Sequence, residues 1–264
     1  MMQTVLHFAF FNLAIQVSGI WCTPISEEVV TIGSRAGGVT VIDDGSNIPT
    51  GQKRNQGNLS NGWLWQNTGL LTHGCTDSGI HISDCYGMQL SSKTNENLER
   101  DLPPGATPRQ RIEIASGQRG VAGETHSLSP RTGTANGFFH LMQLLNENPD
   151  GKVQNGPVIT LDARNGRVYI NDFYSQGCSG SSCPSMPFSS FAGHTTLHRA
   201  TVTYGHKGYF LYTIQDADSG KQLLKYEVHG IMGTGGPVKF GTYRAAVLGM
   251  TASYAAVGDF KQLS

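Results

Sequence analysis

Apolar and polar side chains alternate with a period of two through much of the second half of the chain. Within Tyr209-Phe-Leu-Tyr-Thr-Ile-Gln215 every second residue can face a core, which is the pattern of a half-buried strand. Arg199–Tyr204 and Lys221–His229 are further runs on either side, set off by Gly205-His-Lys-Gly208 and Asp216-Ala-Asp-Ser-Gly220. Val158–Leu161 and Arg167–Ile170 predict a hairpin, because Asn165-Gly166 between them supplies the positive φ angles of a primed turn. Val238–Gly249 and Ser253–Phe260 close the chain. Helical periodicity is scarce, and only Leu141–Asn148 has the make-up to end in a helical turn. The first part is less regular. Thr23–Gln66 is broken by Gly, Asn and Pro and predicts loop with one short strand, and Thr94–Pro108 predicts a second polar loop. Short strands separated by turn signals predict an all-β fold, a β-jelly roll built as a concanavalin-like sandwich of two antiparallel sheets. No internal repeat or linker divides it, so one domain is the simplest account.

Composition narrows the setting. The 264 residues carry a formal net charge of zero and 34 glycines. With no global field, neither nucleic acid nor an anionic membrane is an expected partner, and a polyanion can be held only by locally clustered Arg and Lys. The apolar stretch Val5–Val17, followed by Ser18-Gly19, has the length of a signal-peptide core and is too short to span a membrane. Residues 1–22 are therefore expected to be a signal peptide and 23–264 one secreted, extracellular domain, active as a monomer. With Cys22 at the cleavage region, Cys75, Cys85, Cys178 and Cys183 remain, which permit three pairings. The short-loop solution, Cys75–Cys85 with Cys178–Cys183, fits two local staples in an oxidising compartment. Asn58-Leu59-Ser60 is a glycosylation sequon. Asp43-Asp44 and Asp216-Ala-Asp218 offer oxygen ligands for a structural calcium, and no motif requires a cofactor.

Three segments carry candidate chemistry. In a strand Arg109, Arg111 and Glu113 share one face, and Gln110, Ile112 and Ile114 the other. Two guanidinium groups and a carboxylate on one face are costly if buried but useful along a groove for anions, where Glu113 can hold Arg111 toward a substrate carboxylate. Phe138-Phe-His-Leu-Met-Gln-Leu-Leu145 interrupts an apolar run with His140 and Gln143, whose opposite parity keeps them on different faces of a regular strand. Lys239, Gly241 and Tyr243 recur at period two, with Gly241 leaving room for a ligand to lie across the strand. A phenol beside such cations would have its phenolate stabilised. Together these side-chain types suit β-elimination from a uronic acid unit. Arg and Gln neutralise the carboxylate so that the C5 proton becomes acidic, while Tyr or His removes that proton and protonates the departing O4.

These residues resemble the strand motifs of polysaccharide lyases of the alginate lyase and glucuronan lyase jelly-roll superfamily. That family carries Arg-x-Glu, then a Gln-centred strand, then Lys-x-Gly-x-Tyr. Here the corresponding segments are Arg111-Ile-Glu113, Gln143 within His140-Leu-Met-Gln-Leu, and Lys239-Phe-Gly-Thr-Tyr243. The resemblance implies Arg111 and Gln143 at the substrate carboxylate, Tyr243 as acid and also base, and Lys239 against an acidic polysaccharide chain, with Arg109 and Glu113 alongside. Three positions depart from it. Val238 replaces an aromatic residue, Ala245 stands where Gln is frequent, and Leu145 stands where alginate lyases place a base His. The base must then be His140, if its strand bulges, or His73 or His81 from the Cys75–Cys85 region. These departures shift the expected substrate from alginate toward glucuronan. The alternative is a non-catalytic carbohydrate-binding jelly roll with Trp63 and Trp65 as sugar platforms. A glycoside hydrolase is disfavoured because Glu113 lacks a nearby acidic partner in sequence.

Overall fold

In the computed structural model the described residues are 38–262, apart from 78, 117–121, 129–131, 133–136 and 148–152. The expected signal peptide and Cys22 lie outside them. Strands are numbered along the chain. One sheet runs, in spatial order, β1 (Thr40–Asp43), β4 (Leu70–His73), β5 (Cys85–Leu90), β16 (Ser253–Gln262), β7 (Ala122–Leu128), β12 (Thr195–Thr203), β13 (Gly208–Asp216) and β14 (Gln222–Gly230). The other, hereafter the site sheet, runs β11 (Ser185–Pro187), β10 (Arg167–Asp172), β9 (Gly156–Arg164), β8 (Phe139–Asn146), β15 (Val238–Ala245), β6 (Arg109–Ala115), β3 (Leu64–Asn67) and β2 (Asn55–Asn58). Every pairing between these strands is antiparallel. The chain is thus the expected all-β sandwich, and no described helix is long and apolar enough to cross a membrane.

The alternation read from sequence places the core. Along β13 buried residues alternate with half-buried ones, and Phe210, Tyr212 and Ile214 meet Phe139, Leu161, Ile114 and Phe240 of the site sheet in one cluster. Each such side chain contributes about 2 kcal/mol by leaving water. The β9–β10 hairpin closes on Asn165 and Gly166 at φ 51° and 72°, as predicted. Of Leu141–Asn148, Leu141–Asn146 is strand, because β15 and β9 both pair with it and supply partners a lone turn lacks, and Asn148 lies outside the described residues. The described part of the polar stretch to Gln66 contains three short strands instead of one, β1 and β2 at sheet edges and β3 between β2 and β6. Both short-loop disulfides are present, Cys75–Cys85 and Cys178–Cys183.

One polar knot on the core side matters for the site. Gln110 and Arg244 are register partners, both fully buried. The Gln110 amide donates to the carbonyls of Ser91, Lys93 and Glu96, and Arg244 donates to Gln110 Oε1, Ser91 O and Thr251 O. This network pins the loop after β5 against β6 and so delivers Glu99 to the outer face.

Candidate active site

The outer face of the site sheet carries a row of side chains that face one another strand by strand. Arg111 on β6 pairs with Tyr243 on β15, Tyr243 with His140 on β8, His140 with Asp162 on β9, Asp162 with Tyr169 on β10, and Tyr169 with Ser185 on β11. On β6 and β15 this follows from simple alternation, since Ile112, Ile114 and Phe240 go to the core while Arg111, Glu113, Lys239 and Tyr243 go outward. On β8 it does not. The register shifts between His140 and Met142, where two residue steps oppose one on β9, from Asp162 to Leu161. This bulge puts both Leu141 and Met142 into the core and returns His140 and Gln143 to the same outer face. The parity objection to pairing them is removed by the extra residue.

His140 is held firmly. Its Nδ1 lies 2.5 Å from Asp162 Oδ1, its ring stacks on Phe138 with centroids 4.9 Å apart, and the Tyr243 ring is 5.6 Å away. The Tyr243 oxygen accepts a hydrogen bond from Arg109 at 3.0 Å, and the Arg111 guanidinium sits 3.6 Å from the Tyr243 ring centroid. Arg111 donates from Nε to Glu99 and from one terminal nitrogen to Glu113, leaving its other terminal nitrogen without a partner among the described residues. Gln143 donates to the other oxygen of Glu113. Lys239 donates to Gln66 and stands 3.8 Å from Glu113.

In these ion pairs Arg54, Arg109, Arg111 and Lys239 share only Glu99 and Glu113, so four cations face two carboxylates. Burial works against ionisation of Glu113, yet Arg111, Lys239 and the Gln143 amide hold its carboxyl below the usual range. Burial, with repulsion from Arg111 and Arg54, pulls the Lys239 ammonium down to about 8 against the opposing pull of Glu113. For Tyr243 burial dominates and Glu99 adds to it, so the phenol is pushed up despite Arg111 and Arg109. The expected phenolate is therefore not favoured. Desolvation outweighs the cations because Glu99 and Glu113 already engage them, so Tyr243 keeps its phenolic proton.

The remaining sequence candidates lie elsewhere. His73 is on β4 of the opposite sheet and pairs with Asp84, and His81 pairs with Asp218 in the turn after β13. Neither shares the outer face of the site sheet. Trp63 is buried against Phe260, and Trp65, the register partner of core residue Ile114, packs on the core, so neither is a platform over the row. Gly241 is required by the backbone itself. Its φ is +140°, and a Cβ there would fall 2.3 Å from the Ile112 carbonyl oxygen. Asn58 is exposed at the end of β2. Among the described residues no three His, Cys, Asp or Glu side chains are grouped to hold a metal. Asp43 accepts from Gly45, Asn55 and Asn67, and Asp216 from Ser219. Sequence reasoning missed Arg54, Glu99 and Asp162. The one signal for Asp162 is a lone carboxylate inside the apolar run Val158–Ala163.

No family model and no curated protein matches the chain. Among solved structures, a family 7 alginate lyase, A1-II′, in complex with product is 12% identical with a TM-score of 0.45, covering 71% of this chain and 84% of that one. Alginate lyase Aly36B is 14% identical with a TM-score of 0.42, covering 84% and 95%. The binding domain of botulinum neurotoxin DC is 8% identical with a TM-score of 0.40, covering 79% and 46%. The likeness is one of fold. It carries no chemistry, which is read from the side chains.

Proposed function

We propose that the protein is a secreted polysaccharide lyase that cleaves a uronic-acid polymer, glucuronan-like before alginate-like, by β-elimination. The observation that carries this reading is the placing of His140 and Tyr243 side by side, one held by Asp162 and the other by Arg109, within a cluster where cations outnumber carboxylates. The free terminal nitrogen of Arg111 and the amide of Gln143 meet the substrate carboxylate and draw charge from C5. His140, with Nδ1 engaged by Asp162, removes the C5 proton through Nε2. The electron pair forms the C4–C5 double bond, the C4–O4 bond breaks, and the neutral Tyr243 phenol protonates O4. Water then returns the proton from His140 to Tyr243. Asp162 supports the imidazolium that forms, as the buried carboxylate of a catalytic triad does.

A panel of uronate polymers followed by ultraviolet absorbance of the unsaturated product tests this. Tyr243→Phe is expected to lower turnover by at least about a hundredfold, the usual worth of a positioned proton donor, while polymer binding is kept. Turnover in the variant equal to wild type, or no absorbance rise on any polymer, rejects the proposal and leaves a binding module.

A further inference from the structure

The row does not end at Asp162. Arg164 lies two residues further along β9 on the same outer face, and Arg167 on β10 is its direct register partner. Their Cα atoms lie about 5 Å apart, as in any antiparallel pair, and Arg164 is about 8 Å from His140 by strand spacing and rise. Like charges placed directly opposite across a hairpin destabilise it. Asn165 and Gly166 meet the needs of the turn alone, so turn geometry does not explain the arginines. The cations around Tyr243 are all in ion pairs with Glu99 or Glu113, but no described carboxylate lies within ion-pair distance of Arg164 or Arg167. Arg167 donates instead to Ser185 Oγ at 2.5 Å. Both arginines are exposed, and with Tyr169 and Ser185 they line an open cleft of about 400 Å³.

From these observations we infer that Arg164 and Arg167 form a second carboxylate subsite, which holds another uronate unit of the chain being cleaved. The inference rests on the lyase reading and extends it. A polymer laid across the strands from Arg109 and Arg111 passes over Tyr243 and His140 and reaches Tyr169 and the arginine pair at the opposite side. Guanidinium forks suit planar carboxylates, whereas a neutral glycan offers them only hydroxyl acceptors and no charge to balance the two cations. The subsite thereby selects for chains with acidic units on both sides of the cleaved bond. It acts on chain binding and leaves the proton transfers at His140 and Tyr243 untouched.

The double variant Arg164→Gln with Arg167→Gln tests it. Both side chains are exposed beside a turn, and with the like-charge repulsion removed the unfolding midpoint of the variant is expected to be no lower than that of wild type. On polyglucuronate and alginate, KM is expected to rise about tenfold with kcat kept, and its dependence on salt to become shallower. An unchanged KM and salt dependence in an enzyme that still turns over overturns the subsite while the lyase reading stands. If the wild type cleaves neither polymer, the lyase reading fails, and retention of the same polymers in affinity electrophoresis decides the subsite alone. Weaker retention of the variant upholds an anion site at the pair, and equal retention overturns it.

Discussion

Replacing Asp162 by Asn isolates the carboxylate's contribution to the proposed proton abstraction. The change keeps size and an acceptor oxygen, so the Nδ1 hydrogen bond and the ring orientation survive, while the negative charge goes. In the ground state little is lost, because neutral His140 needs only an acceptor. In the transition state His140 gains a positive charge beside Asp162, which is 3% exposed. Two unit charges about 4 Å apart at an effective dielectric near 20 attract by about 4 kcal/mol. The part already provided by a neutral acceptor brings the expected loss to about 3 kcal/mol, near 150-fold in kcat. An Asn that flips its amide toward Nδ1 enforces the wrong tautomer and raises the loss further. The assay is initial rate of ultraviolet absorbance on the best polymer, with saturation curves for wild type, Asp162→Asn and His140→Gln. KM is expected to change less than about threefold, since Asp162 does not meet the chain. An Asp162→Asn enzyme within threefold of wild-type kcat, beside an inactive His140→Gln, refutes the charge argument and makes Asp162 an orienting residue only. A fully active His140→Gln removes the dyad from the reaction.

Two other outcomes follow from the electrostatics. Lys239 loses its charge as pH rises through about 8, so affinity for a polyuronate is expected to weaken between pH 7 and pH 9.5, whereas Lys239→Arg keeps its charge and shows a flat KM over that window; a wild-type KM without an alkaline rise removes Lys239 from chain binding. In the opposite sheet Glu124, His126 and His198 are fully buried together, and burial pushes the Glu124 carboxyl up to about 7 despite His126. The native state then holds a proton that the unfolded chain releases above its ordinary carboxylate range, so Glu124 lowers stability as pH rises from about 4.5 to 7. His198, kept neutral by burial and by His126, acts the other way as pH rises toward the ordinary His range, so the test is a difference. Glu124→Gln is expected to gain about 2–3 kcal/mol on wild type between pH 5 and pH 8, read by urea unfolding; a constant difference shows that Glu124 is ionised throughout.

What sequence could and could not reveal divides by the range of the interaction. The outward placing of Arg111, Glu113, Lys239 and Tyr243 follows from a period of two, which two adjacent strands enforce locally. The hairpin at Asn165-Gly166 was equally legible, since only a few residue types accept positive φ there. The bulge on β8 was not. Nothing in Phe139-His-Leu-Met-Gln marks which residue is the extra one, because Leu141 and Met142 are both at ease in the core. The choice is made by β9 and by β15, the latter distant in sequence, whose registers meet there. Glu99 was hidden for a related reason. It lies in a polar loop without periodicity and reaches Arg111 because Gln110 and Arg244, on the other face, fix the preceding loop and the Glu99 N–H donates to the Arg109 carbonyl.

That hidden carboxylate changes how the cationic face has to be understood. Arg111 is only 8% exposed, and an isolated guanidinium at that depth costs several kcal/mol to desolvate. Glu99 and Glu113 offset this cost, which is why Arg111 can be buried, stacked on Tyr243 and fixed in direction before any ligand arrives. Two carboxylates do not match the surrounding Arg54, Arg109, Arg111 and Lys239, however. The excess is positive and partly dry. In the proposed reaction an entering uronate carboxylate would complete this charge balance, without the reorganisation that water or a flexible side chain would need. A merely exposed set of arginines could bind the same anion, but it could not acidify C5 as well, because screened charges in water contribute little to a developing carbanion. The burial of the cluster is thus part of what makes it suited to elimination.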